Sequence, residues 1–446
     1  MRDELVKTGE QVVEMARQKG VEAEAFLFYN RELGIEVAQG TVETLAEAEE
    51  LGIGVRVIKE GRVGFAYSTD LGPEALNQLL DRAVESSKFT ASDENNSLPA
   101  GRYQYPELNV YDPEVRRVNV EEKIQMARDL ESAALAYDRR IKVIEKAAYE
   151  DSEFALAVFN TNGIKAFERG AFCTLYAYLV AEEEGDAQTG FGYAAARRVK
   201  ELDPARVGRE AAHNAVRMLG AKTITSRSVP CIFEPYVVTS FLGVLVNSVN
   251  ADSVQKGKSF LAGKIGQTVA AGNFTLVDDG TSPQGIASFP FDGEGVATQR
   301  TVLIDRGILK GFLYDTYTAN KANTKSTGNG VRGSFRSLPG VGITNLFVLP
   351  GVSRPEQLIK EVSQGLFVTE VMGIHTANPI SGDFSVGAAG ILIENGELTR
   401  PVRSITIAGN LQEFLQGVEG VGEDLRFFGG IGAPTLRVKG LSIAGE

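Results

Sequence analysis

Glycine divides this chain in two: of its 49 glycines, 17 fall in residues 1–222 and 32 in residues 223–446. Glycine weakens regular elements and is favoured where the backbone takes a positive φ or where two segments approach closely. The first half can therefore sustain long helices and strands, while the second is expected to be a strand-rich body with many sharp loops. A chain of 446 residues also exceeds what one hydrophobic core serves. With 43% hydrophobic and 23% charged residues it has the apolar surface to fold throughout.

The first half reads as the same plan twice. In residues 1–93, Leu5, Val12, Val13 and Ala16 recur at the helical period over Asp3 to Lys19, and Gly20 stops that helix. Strands are expected at Glu22–Asn30, Gly34–Gln39, Thr41–Ala48 and Gly52–Ile58, with a hairpin turning at Gly61 toward Val63, Phe65 and Tyr67. Pro73 opens a helix in which Leu76, Leu79, Leu80, Ala83 and Val84 form one stripe. A polar linker, residues 94–113, contains Pro99, Pro106 and Pro113.

The second block, 114–222, opens with Asn119 and Glu122 spaced as a capping box. Strands are expected at Ile141–Glu150, Phe154–Phe159, Ile164–Glu168 and Phe172–Ala181, with Asn162-Gly163 as a two-residue turn. Asp203-Pro204 starts a helix that ends at Gly220. The fold class is α+β: two helix–antiparallel meander–helix blocks, then a glycine-rich, strand-rich domain over 223–446.

Charge and cysteine content narrow the partners. Forty-six basic against 58 acidic residues give a net charge of −12, which repels nucleic-acid phosphates and anionic lipid. Nucleic acid and membrane are therefore not the expected partners. Cys173 and Cys231 are too few for a disulfide framework and lie in apolar runs, as buried reduced thiols do. Met1 to Leu5 lacks the apolar core of a signal peptide, and the run Pro235–Val246 is too short to span a bilayer. Cytoplasmic residence is the expectation.

Several motifs imitate chemistry. Gly328-Asn329-Gly330-Val331-Arg332-Gly333 matches a dinucleotide fingerprint but lacks the strand before it and the helix after it, so it reads as a glycine-rich loop. His213 reads as a helix-face residue with Glu210 one turn earlier. His375, Asp383 and Ser385 are the candidate catalytic residues, clustered in Gly373 to Ser385, although turn chemistry explains the same Ser/Asp/Gly pattern. Asp278, Asp279, Asp292 and Glu294 could converge on a hard cation, but both acidic pairs also read as ordinary turns. No metal or cofactor residue is assigned from these patterns.

Longer signatures are more specific. Gly382 to Gly390, Ile393 to Glu397, Pro401-Val402 and Thr406 to Leu411 resemble the C-terminal signature of the TldD/PmbA family, also described as proposed modulators of DNA gyrase. Matches at Val63–Leu71, Lys258–Leu261, Asp292–Val296, Ser326–Asn329 and Pro434–Val438 extend the resemblance over the whole chain. The resemblance implies proteolysis by a zinc site built from an H-E-x-x-x-H motif in the third block and a cysteine in a late loop, where an open zinc position activates water. It also implies that TldD-type subunits pair with a PmbA-type subunit (TldE) lacking that motif.

Here the corresponding stretch, Val238 to Asn247, contains neither histidine nor glutamate, and no cysteine follows Cys231. The chain is accordingly read as PmbA/TldE-like, with zinc expected only in a TldD-like partner. The implied function is a subunit of a metalloprotease acting on peptides or unfolded polypeptides, which antiparallel sheets could hold by strand addition. The alternatives are a homodimeric peptidase with another active site, and a regulatory binding protein outside proteolysis. The run Ser240–Val249 is apolar almost all round and is expected to be buried in a core or at a subunit interface.

Overall fold

The computed structural model describes residues 1–445. The first half builds α1 (Arg2–Gln18), β1 (Glu22–Ala38), β2 (Thr41–Lys59), β3 (Arg62–Ser68) and α2 (Pro73–Ser87). After the linker come α3 (Glu114–Arg117), α4 (Val120–Tyr137), β4 (Ile141–Asn160), β5 (Lys165–Glu183), β6 (Asp186–Ala196) and α5 (Pro204–Val216). Both blocks are helix, three-stranded meander, helix. They share one antiparallel sheet in the order β3-β2-β1-β4-β5-β6, with β1 against β4 at the centre.

The two-residue period of β1 assigns its faces. Ala23, Ala25, Leu27 and Tyr29 enter the core under α1 and α2. Leu33, Ile35 and Val37, further along the same face, enter the core under α4 and α5. One strand thus supplies both cores. The expected strand pairs Glu22–Asn30 with Gly34–Gln39, and Thr41–Ala48 with Gly52–Ile58, are single strands here. Polar Arg31 and Glu32 do not break β1, because both are in register with β2 and β4, and Arg31 ion-pairs Glu47 and Asp151.

Local chemistry fixes the ends of these elements. The β1–β2, β2–β3 and β5–β6 turns are Gln39-Gly40, Glu60-Gly61 and Glu184-Gly185, each with two positive φ values, the turn that matches sheet twist. The β4–β5 connection spans 161–164 rather than two residues, since Asn160 Oδ1 accepts from the Asn162 and Ile164 amides and widens the loop. Asn119 accepts from the Glu122 amide at 2.8 Å and Asp203 from the Arg206 amide at 2.9 Å, capping α4 and α5. Leu76, Leu79, Leu80 and Ala83 of α2 are buried, each leucine contributing about 1.5–3 kcal/mol.

The second half begins with β7 (Arg227–Phe233) and α6 (Pro235–Val249). Strand β7 joins Gln364–Met372, Asp383–Glu394, Glu397–Asn410 and Leu436–Ala444 in a sheet that closes through pairing of the last two. Phe233, Phe241, Phe384 and Phe414 interlock inside, with centroid separations of 4.9–5.6 Å in their contacting pairs. A second sheet holds Leu276–Asp279, Arg300–Asp305, Ile308–Leu309, Leu346–Val348, Arg426–Phe428 and Ile431–Ala433. Cys173 and Cys231 are buried free thiols, and burial pushes both up to about 12.

The other face of β1 meets this second half. Phe26 packs with Phe289, Phe291 and Phe335. Arg56 Nη2 stands 2.8 Å from Glu24 and 2.9 Å from Glu294, and Arg332 also pairs with Glu24. Arg197, from the stretch after β6, donates to the carbonyls of Val110, Ile286 and Ser288 at 2.7–3.0 Å. Burial without a carboxylate pushes this guanidinium down to about 10. The charges at this junction are satisfied by fixed partners, which positions the two halves.

Candidate functional site

Helix α6 buries Val237, Val238, Phe241, Leu242, Leu245 and Val249. Tyr236, Ser240, Gly243 and Asn247 lie on its other side, and Tyr236 and Gly243 are exposed. Of the run Ser240–Val249, read as apolar almost all round, one side is buried in the core of this chain and the side with Gly243 is open. Spacings of four, three and four residues place these small or polar positions on one stripe. Beside that stripe run Arg426–Phe428 and Ile431–Ala433. The Phe428 ring lies 5.0 Å from that of Tyr236, and a Cβ at Gly243 would sit 4.0 Å from Ile431. The segment that the resemblance singled out, Val238–Asn247, thus lies beside this late hairpin.

At the head of α6 a cavity of about 380 Å³ opens between the two halves of the molecule. Its aromatic wall is continuous: Tyr178 stacks on Phe191 at 4.7 Å, Phe191 meets Tyr236 at 5.2 Å, and Tyr236 meets Phe428. Strand alternation puts Tyr176 with Tyr178, and Phe191 with Tyr193, on one face. Glu210 on α5 takes Arg426 at 2.7 and 3.2 Å, and Glu234, the residue preceding α6, takes Arg217 at 2.7 Å through both oxygens.

His213 Nδ1 lies 3.0 Å from the Tyr137 hydroxyl, and burial followed by the Arg217 charge lowers the imidazole from its ordinary value. Glu370 is the remaining carboxylate on the wall. Residue-by-residue reading placed His213 only on a helix face and passed over Tyr236, Glu370 and Arg426. The available signal was the pair of i, i+2 aromatics, which marks an aromatic sheet face needing a cover.

The candidate triad does not assemble. His375 lies exposed on a short 3₁₀ turn, Ile374–Thr376, and Asp383 and Ser385 begin the strand Asp383–Glu394. Asp383 is engaged by Asn410 Nδ2 at 2.9 Å and by the Ser381 hydroxyl at 2.7 Å. Among the described residues neither Asp383 nor Ser385 hydrogen-bonds His375. Gly382 forms the corner before the strand with φ +85°.

The acidic residues of the turns face inward to protein donors. Asp278 accepts from Asn329 and from both the amide and hydroxyl of Thr344. Asp279 accepts from the Thr281 amide and hydroxyl. Asp292 accepts from the amides of Glu294, Val296 and Gly330, and Glu294 from the Thr316 amide as well as Arg56. A Cβ at Gly330 would lie 2.8 Å from Glu294 Oε2, so that glycine of the fingerprint-like loop serves this close approach.

A zinc site of the kind the resemblance implies needs imidazole, thiolate or carboxylate donors directed to one point. The open stripe of α6 offers a phenol, a hydroxyl, a glycine and an amide, and the cavity's Glu210 and Glu234 are held by arginines. Among the described residues no three His, Cys, Asp or Glu side chains group in a metal-binding arrangement. The residues present do not fit the ion.

A strand-rich body carrying a helix and a late hairpin at one cavity, joined to a duplicated α+β sheet, is the architecture of a peptidase family. Residues 23–87, 113–219 and 226–445 match, in turn, domain 1, the central domain and the C-terminal domain of the PmbA/TldA metallopeptidases. The chain belongs to the PmbA/TldD metallopeptidase family. The metalloprotease PmbA of Escherichia coli O157:H7 is 31% identical, over 97% of this chain and 94% of that protein. A Thermotoga maritima structure, described as a proposed modulator of DNA gyrase, is similar with a TM-score of 0.92 and 30% identity over 98% of this chain and 99% of that one. TldE from Thermococcus kodakarensis is similar with a TM-score of 0.90 and 26% identity, over 100% of both chains.

Proposed function

We propose that this chain is the subunit of a PmbA/TldD-type metalloprotease that holds no zinc, working with a TldD-like catalytic partner on peptides or unfolded polypeptides in the cytoplasm. The observation that carries this reading is the open stripe of α6. It stands beside the late hairpin, where family resemblance expects metal ligands, and presents Tyr236, Ser240, Gly243 and Asn247. A phenol and an amide can bind an extended chain but cannot replace a first coordination shell. The aromatic cavity at the head of the helix supplies a place for a side chain of that substrate. The chain's contribution is to enclose and hold the polypeptide, and bond cleavage belongs to the partner.

The test is reconstitution. An unfolded polypeptide is incubated with this chain alone, with a family member carrying H-E-x-x-x-H, and with both. Cleavage by the mixture well above either component is the expected result. Chelator-resistant cleavage by this chain alone would overturn the reading and favour a separate active site.

A further inference from the structure

We propose that the cavity at the head of α6 binds a basic side chain, lysine or arginine, of the polypeptide substrate; this deepens the function proposed above and rests on it. The first support is the charge balance of the wall. Glu210, Glu234 and Glu370 face Arg217 and Arg426, with His213 lowered from its ordinary value and so largely neutral at pH 7. Each arginine is tied to one glutamate through two hydrogen bonds. Glu370 is left over. Among the described residues it has neither a hydrogen-bond nor an ion-pair partner, and one uncompensated negative charge remains.

The second support is the rings. Tyr178, Phe191, Tyr236 and Phe428 form an unbroken run along the same wall. A cation seated against aromatic faces is attracted by their quadrupoles, and a nearby carboxylate adds to the effect. Arg426 already uses this chemistry, with its guanidinium 5.0 Å from the Phe428 centroid. An anionic ligand would meet the Glu370 charge, and a neutral one would leave it without a counter-ion.

The third support is backbone geometry. The pairing of Gln364–Met372 with Asp383–Glu394 slips between Val368 and Glu370, and this bulge directs Thr369 and Glu370 to the cavity. Bulges of this kind re-aim side chains at binding sites. The Glu370 side chain stays accessible to a ligand, while the protein packed around it raises the carboxyl above the ordinary glutamate range. Glu370 is close enough to contribute, after burial and Tyr178, to raising the Tyr236 phenol.

The experiment is calorimetric titration of the full chain with end-blocked pentapeptides, alanine throughout except for lysine, norleucine or glutamate at the centre, and with an all-alanine peptide bearing a free amine. The expected result is lysine binding at least tenfold tighter than norleucine, with glutamate weakest. Glu370→Gln should remove that preference and leave the norleucine affinity unchanged. Phe191→Leu should weaken lysine binding, with thermal melting confirming that both variants fold. Equal affinities for the blocked peptides, no detectable lysine binding, or a preference surviving in Glu370→Gln would overturn the proposal. Tighter binding of the free-amine alanine peptide would assign the cavity to chain termini and overturn the side-chain assignment. Because the titration uses this chain alone, it can fail while the reconstituted pair still cleaves, and the two readings fail separately.

Discussion

Glu210 on α5 holds Arg426 on the late hairpin through two hydrogen bonds, so the second α+β block and the C-terminal body close the cavity together. The pair is partly exposed, with side-chain exposures of 37% for Arg426 and 23% for Glu210, which limits its energy to about 1 kcal/mol. A double-mutant cycle with Glu210→Gln and Arg426→Met, read by urea unfolding, should return a coupling of that size. A coupling near zero would mean that the hairpin is held by its strand pairing and ring contacts without help from this ion pair.

The buried Arg56 is a different case. Its guanidinium serves Glu24 and Glu294 with almost no solvent, and removing one partner of such a group leaves uncompensated charge. Arg56→Leu should destabilise the protein by about 3–5 kcal/mol in urea unfolding. A loss below about 1 kcal/mol would show that water enters the junction readily.

Titration of His213 gives a pH test. Its folded-state pKa is lowered from 6.5, mainly by burial and then by Arg217. Over the interval between the two values the unfolded chain binds more protons, so stability rises with pH and falls as pH drops through about 6.5. With His375 replaced by asparagine, the remaining imidazole proton resonance should titrate below 6.5. His213→Gln should flatten the stability profile in that window.

The Gly373–Ser385 segment tests the rival active site. Asp383 is occupied by Asn410 and Ser381, and no triad geometry links it to His375. The reconstituted pair carrying His375→Ala and Asp383→Ala in this chain should cleave at the unmodified rate. Loss of cleavage with the variant folded and still bound to its partner would place chemistry here.

Metal content is a separate measurement. After gel filtration, the purified chain should carry zinc well below one equivalent, and exposure to a chelator should not lower its melting temperature. Stoichiometric zinc located by anomalous scattering at α6 would contradict the donor chemistry described above.

Much of the first half was legible because its signals are local. The α2 stripe, the Asn119 and Asp203 caps and the Gly61 turn each depend on residues within a few positions. Strand β6 escaped because Gly190 and Gly192 look like turn residues. Their real role is long-range: a Cβ at Gly190 would sit 2.1 Å from the Ala211 carbonyl and one at Gly192 2.4 Å from that of Val207, so both let α5 lie close on the sheet. The cavity was illegible for the same reason. Its wall gathers residues from 178 to 428, and no local spacing encodes that meeting.

Strand β1 feeds the cores of both α+β blocks and also runs beside β4, which arrives more than a hundred residues later in the chain. A nascent polypeptide therefore cannot finish its first block before β4 leaves the ribosome: until then, a long edge of β1 stays unsatisfied and open to pairing with a neighbouring chain. Producing the two blocks as separate chains would create two such edges at once. The duplicated half should consequently melt as one cooperative unit and tolerate circular permutation poorly within β1 or β4.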